Sequence, residues 1–489
     1  MIEWRRVAKR ASLAVAGALA GWAVLFLVLN TMGPKRCSGG ACPSGDGTAF
    51  TLGVLFAPLG VVAVSLTVSL ARGRWAWGRR RVWGTVGCGL LLGLVPGRLW
   101  HDSLYGPRLD AVWAAPPDRP SDVRGVGNWG VGSTLVRARS DGLTAYNTRD
   151  GQERWTLAAP PRQSVCALGA RTGAGTGLVG FAGYRQPCAS VALVDLSTGR
   201  TRWRRAVTVE PGAGRIALAD GTAAVAEDTA VRGLNAADGR ETWRRNLGTG
   251  CRAGAVDASA ARVLLVEQCE DGHAVRMRIT SLDARTGAPR WSAPLPVASR
   301  PEELLVLSAE PAVIALRESD ARGTAAVLSF DGEGRRRAAV PLSGRRDDLV
   351  LSAGTEDFAA RPAFTAAVVR DVLVTAVEQP GDTGAHRVAA YSLRDGGALW
   401  DRSFEDDVAA LTRGPDGNAA VLTRRFSDGT VRRLDPRTGT SVGEPEPIGG
   451  EDRLVGHGAA ELYDDGHGRV VVNRDGTDDH PPAFGARPR

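Results

Sequence analysis

Lysine is almost missing from the chain: Lys9 and Lys35 are the only two, so nearly all the positive charge is arginine. The bias is that of a GC-rich coding sequence and carries no functional meaning. Histidine is scarce too, with six scattered copies that give no Ser/His/Asp constellation to build on. No Cys-x-x-Cys pair occurs and no histidine cluster stands beside a cysteine, so nothing supports a zinc site. The larger part of the chain also lacks a basic excess. Residues 1–100 hold 12 Lys/Arg against Glu3 and Asp46, which leaves 49 basic and 51 acidic residues for 101–489. A nucleic-acid binder concentrates positive charge on its folded domain, so that class is set aside.

Long uncharged runs crowd the first hundred residues. Residues 11–33 and 50–71 carry no charge, and each exceeds the roughly 20 residues a spanning helix needs. A third, shorter run at 82–100 can span if Arg98 snorkels and Trp83 and Trp100 sit at the interfaces. The first run is too long for a signal-peptide core and is followed closely by a second, which favours an anchor held in membrane lipid. Arg5, Arg6, Lys9 and Arg10 precede the first span, and Arg72, Arg74, Arg79, Arg80 and Arg81 lie between the second and third. The loop between the first two has only Lys35 and Arg36. The positive-inside rule then places residues 1–10 in the cytoplasm and everything after 100 outside, a multi-pass cell-membrane protein.

Cysteine usage fits an exported setting. Cys37 and Cys42 fall in the expected outer loop, and Cys166, Cys188, Cys251 and Cys269 in the large domain. Local pairs, Cys37–Cys42, Cys166–Cys188 and Cys251–Cys269, are preferred, although the four domain cysteines allow three pairings. Cys88 lies in the third span as an apolar residue.

From residue 110 onward the chain repeats itself. The clearest copies are Ala145-Tyr-Asn-Thr-Arg-Asp-Gly151 with Trp155, and Leu193-Val-Asp-Leu-Ser-Thr-Gly199 with Trp203. Next come Gly233-Leu-Asn-Ala-Ala-Asp-Gly239 with Trp243 and Ser281-Leu-Asp-Ala-Arg-Thr-Gly287 with Trp291. Ala390-Tyr-Ser-Leu-Arg-Asp-Gly396 with Trp400 is the fifth. In every one the Trp falls four residues after the Gly, and an Asn, Asp or Ser four before it. Two copies are degenerate: Phe330-Asp-Gly-Glu-Gly334 is one residue short with Ala338 in the Trp position, and Leu434-Asp-Pro-Arg-Thr-Gly439 has Gly443 there. Val472-Asn-Arg-Asp-Gly476 supplies an eighth, shortened turn with no strand of its own to follow.

Each copy reads as an apolar strand, an Asx turn closed by a glycine with positive φ, and a second strand whose Trp packs between neighbouring units. Short strands at this repeat length predict a β-propeller. Trp113, in Asp110-Ala-Val-Trp113, supplies the spare outgoing strand that closes the ring by pairing the chain ends. Eight blades of roughly 46 residues follow, with seven the alternative. The layout expected is a linker over 101–122 containing the strand near Trp113, a propeller over 123–476, and a disordered Pro-containing tail over 477–489.

These repeats resemble the tryptophan-docking motif of pyrroloquinoline-quinone-type propellers, in a membrane-anchored form suited to an actinobacterial envelope. The resemblance implies the fold, and leaves two kinds of function: quinoprotein dehydrogenases that use the quinone and calcium, and cofactor-free scaffolds. Two adjacent cysteines, common beside the quinone, do not occur, and neither does the haem attachment motif Cys-x-x-Cys-His. The expectation is therefore a non-catalytic scaffold for a protein or envelope ligand, with no cofactor, no metal and no catalytic residue. A quinone-dependent dehydrogenase is the alternative, and a ligand-sensing ectodomain with a partner subunit the second. Glu270-Asp-Gly-His273 and Tyr463-Asp-Asp-Gly-His467 lack the alternating acids of a calcium loop and read as hairpin turns. Gly439-Thr-Ser441-Val-Gly443 matches a nucleophile elbow in letters only, since Pro445 and Pro447 exclude the helix it needs. Gly130-Val-Gly132 and Gly173-Ala-Gly175 are too sparse to be nucleotide loops.

Overall fold

The computed structural model describes Trp22 and residues 109–489, less 121–122, 124, 213, 273, 321, 345–346, 354–362, 380–383, 426–427, 450–454, 457–459, 465–467, 474–479 and 489. Trp22 apart, the expected spans and the Cys37–Cys42 pair lie outside the described residues, as do His273, His467 and Gly476. The chain divides into units Met1–Pro107 and Arg108–Arg489. The second is built of strands alone among its described residues, in a propeller-like arrangement.

Strands come in antiparallel groups of four. Gly125–Val131, Thr134–Arg139, Gly142–Asn147 and Glu153–Ala158 form the first sheet, paired in chain order. Sheets within 163–209, 216–246, 251–294 and 301–341 repeat it. In the next, the innermost strand is split into Asp348–Val350 and Ala366–Val369, which both pair with Val372–Glu378. The last sheet has eight strands but is joined in the middle only by a short parallel ladder, Leu109↔Ile448 and Asp110↔Gly449.

Inner strands of successive sheets pack on one another, and apolar side chains fill the wedges between sheets. Val136, Leu143, Val179 and Phe181 fill one wedge, Leu178, Leu193, Leu218 and Val225 the next. The wedge that closes the circuit holds Trp113, Leu135, Tyr146, Val470, Val472 and Ala483, joining the last sheet to the first.

Closure departs from the sequence expectation in one respect. The tail expected to be disordered contains the strand Ala483–Pro488, with Phe484 fully buried. This strand, rather than Val472-Asn473, is the one that pairs with Leu109–Ala114, Trp113 standing opposite Gly485. Val472-Asn473 belongs to the preceding strand, Arg469–Asn473. Pro481 and Pro482 sit just ahead of the strand, where a missing N–H removes no ladder bond, so the prolines hid a strand they do not break. In the segment 101–122 the strand near Trp113 is present as expected, and after it Asp118 is buried, 2.6 Å from buried Arg137.

Candidate functional site

The repeat motif acts as a joint between sheets. At each turn the Asx side chain accepts from the amide two residues on, as Asp195 does from Ser197 at 3.0 Å and Asn235 from Ala237 at 2.8 Å. The glycine amide donates back to the Asx carbonyl, Gly239 to Asn235 at 2.7 Å. That leaves the next carbonyl free, and the Trp of the preceding sheet takes it. Trp113 donates to Thr148, Trp203 to Ala236, Trp243 to Ala284 and Trp400 to Pro436, each at 2.9 Å, and Trp155 to Leu196 at 3.1 Å. The indole then lies flat on the next glycine: a β-carbon at Gly199 would stand 2.5 Å from the Trp155 ring. With φ at 72°, Gly199 is required twice over, by backbone conformation and by the ring above it.

The degenerate copies obey the same logic. In the short turn the Gly334 amide bonds Asp331, the carbonyl three residues back, which is the one a docking Trp uses elsewhere. Trp291 still stacks over Gly334 and against Phe330, but its buried Nε1 has no acceptor. Where Ala338 replaces the Trp, the Ser329 hydroxyl donates instead to the free Leu393 carbonyl at 2.5 Å. The turn around Gly396 is thereby held without an indole.

Two disulfides, Cys166–Cys188 and Cys251–Cys269, staple individual sheets; the second bridges residues directly opposite in an antiparallel ladder. Ser441 of the apparent nucleophile elbow accepts from Arg402 Nη1 at 2.7 Å and forms a β-bridge with Leu434. Asp271 and Ala274 close a hairpin, as expected for that segment.

Gly130 and Gly132, too sparse for a nucleotide loop, line a cleft of about 790 Å³ at the closing joint. Its walls come from two sheets: Ser133, Thr148 and Arg149 from the first, and Pro415, Tyr463, Asp464 and Arg487 from the eight-stranded last one. The Tyr463 ring covers Gly130, where a β-carbon would fall 2.4 Å from Cδ1. Its hydroxyl donates to Glu461 at 2.5 Å, and Asn128 donates to the same carboxylate at 3.1 Å, tying the innermost strands together across the joint. Asp464 is neutralised by Arg469 at 2.7 Å, which also meets Glu446 at 3.1 Å. Behind them Arg433 lies 3.7 Å from Asp416. Burial pushes the Asp416 carboxyl up, but hydrogen bonds from Asn418 and the Arg433 charge outweigh it and hold the group below its usual range. The carboxylates of the cleft are thus engaged in structure. Neither Arg149 nor Arg487 has an ion pair among the described residues. The repeat motif marks Thr148 and Arg149 as turn residues; nothing in the sequence marks Arg487, whose strand follows Pro481 and Pro482 and reads as a loose tail.

No curated protein matches the sequence. Among solved structures, the chain resembles BamB from Moraxella catarrhalis at 14% identity and TM-score 0.45, covering 78% of this chain and 100% of that one. It resembles the computationally designed Ika8 protein at 12% and 0.47, covering 78% and 100%. A quinohemoprotein alcohol dehydrogenase from Comamonas testosteroni matches at 13% and 0.42, covering 78% and 76%. The protein-family model described as outer membrane protein assembly factor BamB matches residues 188–443, and so takes in four of the five clear motif copies. With more than half of its 489 residues inside that match, the chain belongs to the pyrroloquinoline-quinone-type propeller family of outer membrane protein assembly factor BamB.

Proposed function

We propose that the protein is a non-catalytic scaffold: an eight-bladed propeller, anchored by the three N-terminal spans and carried on the outer side of the cell membrane, that binds a protein partner. Membership of the BamB family carries this reading. The way the cleft uses its acids supports it, because a carboxylate locked to arginine is a poor general base. Eight blades are favoured by the wedge clusters that run between successive four-stranded units once the eight-stranded sheet is divided at its parallel ladder. Uncharged runs and the arginine distribution support the anchor and its orientation.

The cysteine chemistry speaks against a quinone of the alcohol-dehydrogenase kind. All four described cysteines are joined in pairs 22 and 18 residues apart, so none is available as a vicinal pair beside a quinone. The test is photo-crosslinking in intact membranes followed by capture of the full chain, alongside dye-linked oxidation assays with added quinone and calcium. A specific crosslinked protein with no turnover is expected. Saturable quinone binding with turnover overturns the reading, as does a propeller that stays resistant to external protease on intact cells and becomes sensitive on lysis.

A further inference from the structure

The proposed scaffold function leaves open what is held and where, and the closing joint offers an answer that rests on that reading. Arg149 is exposed and Arg487 half-buried on the wall of one cleft, and neither guanidinium is paired among the described residues. At the same place in the repeat Arg437 reaches Asp371 at 2.5 Å and Arg394 meets the same carboxylate, while Arg285, like Arg149, has no ion pair among the described residues. Asp464, the acid in the cleft wall, is already held by Arg469, so it does not cancel the two free charges. Thr148, buried in the same wall, has a hydroxyl without a partner.

Guanidinium groups are weakly hydrated planar forks that suit carboxylates, and concave low-dielectric walls strengthen the attraction. The cleft volume, about 790 Å³, is in the range that encloses a ligand rather than a few waters. The lining is not purely ionic, since the half-buried Tyr463 ring and exposed Pro415 offer apolar contact beside the charges. We infer that this cleft binds an acidic peptide segment of the partner protein, with carboxylates on Arg149 and Arg487 and an apolar side chain against Tyr463 and Pro415. The apolar contacts favour a peptide over a phosphate polymer, which has little to place there. Position adds a consequence. Thr148, the cleft residue next to Arg149, also supplies the carbonyl that Trp113 docks on, so an occupied cleft braces the joint where the two chain ends meet.

The experiment uses the full chain in detergent micelles and a fluorescein-labelled heptapeptide alternating Glu with Leu and Phe, read by anisotropy. The same peptide with Gln for Glu, and an inorganic polyphosphate, serve as competitors. Saturable binding of the acidic peptide is expected, weakening as salt rises. The double variant Arg149→Gln/Arg487→Gln should lose about tenfold or more in affinity, and Arg149→Lys less than Arg149→Gln. Arg276→Gln, an exposed charge outside the cleft, should bind as wild type, and matched thermal melts check that the variants fold. Equal affinity for the Gln peptide, or an unaffected double variant, overturns the proposal. Polyphosphate displacing the peptide at lower concentration overturns the choice of a peptide. A crosslinked partner whose capture ignores Arg149→Gln/Arg487→Gln sinks the cleft and leaves the scaffold standing.

Discussion

Trp243 and Trp291 make a natural pair for testing what holds the ring together. Both are buried to the same degree, 8% and 9% exposed, and both stack on the glycine of the next turn. They differ in one bond: Trp243 Nε1 donates to the Ala284 carbonyl at 2.9 Å, while Trp291 Nε1 has no acceptor. Replacing either by Phe keeps an aromatic ring over the glycine and removes the indole nitrogen. In Trp243→Phe a buried hydrogen bond disappears and the Ala284 carbonyl loses its partner, at a cost of about 1–3 kcal/mol. In Trp291→Phe no bond is lost, and a buried donor without an acceptor is removed. Both lose similar ring area, so the difference between the two variants isolates the bond. For a unit of this size the unfolding entropy is about 0.8 kcal/mol per kelvin, so Trp243→Phe should melt roughly 1–4 °C below Trp291→Phe. Thermal unfolding followed by far-UV circular dichroism measures this. If Trp291→Phe is as damaging as Trp243→Phe, the short turn does not deprive Trp291 of its acceptor and the account of the degenerate repeat is wrong. If neither variant melts lower than wild type, docking does not hold the sheets at all.

Four further outcomes follow from the same geometry. Phe484→Ala, in the strand taken for a loose tail, should cost about 3–5 kcal/mol, read as a lowered urea midpoint; an unchanged midpoint would return residues 483–488 to the disordered state the composition suggested. Reducing Cys251–Cys269, which closes an 18-residue separation, should cost about 3 kcal/mol, seen by comparing melts of wild type and Cys251→Ala/Cys269→Ala. Asp283 is held at about 2, first by the Arg290 hydrogen bond and then by the Thr286 amide, which together outweigh a small burial effect. Its folded value lies below the usual one near 4, so its stabilising share is complete above about pH 4 and is lost as pH falls toward 2. Acid melts of Asp283→Asn should accordingly be flatter than wild type between pH 4 and 2, with Asp195, depressed by the Ser197 hydroxyl and Arg202, contributing in the same direction in both proteins. At the cleft, Arg149→Gln/Arg487→Gln should weaken acidic-peptide binding about tenfold while leaving the melting temperature in place.

The amino-acid sequence by itself determined the repeating unit. Asx, Gly and Trp at fixed spacing each meet a local demand: a side chain that caps its own turn, a residue that tolerates positive φ, and a ring flat enough to cover it. Such demands are short-range, so they can be read in a run of eleven residues, and with them the strands, the joints and the family. Even the loss of Trp at Ala338 was visible. Its repair by Ser329 was not, because nothing in spacing says which hydroxyl will reach a carbonyl 64 residues away. The spare strand at Trp113 told that the chain ends pair, but tertiary structure decided which C-terminal strand completes the joint. Ala483–Pro488 has modest strand character and two prolines before it, and it is a strand because it lies between two ladders, Arg469–Asn473 on one side and Leu109–Ala114, from the far end of the chain, on the other. The cleft is legible only after that closure. Arg149 and Arg487 are 338 residues apart, and their shared wall exists because the ring brings its first and last sheets together. Local turn chemistry is written in neighbouring residues; a site made by closing a circle depends on long-range packing, which no window of the sequence contains.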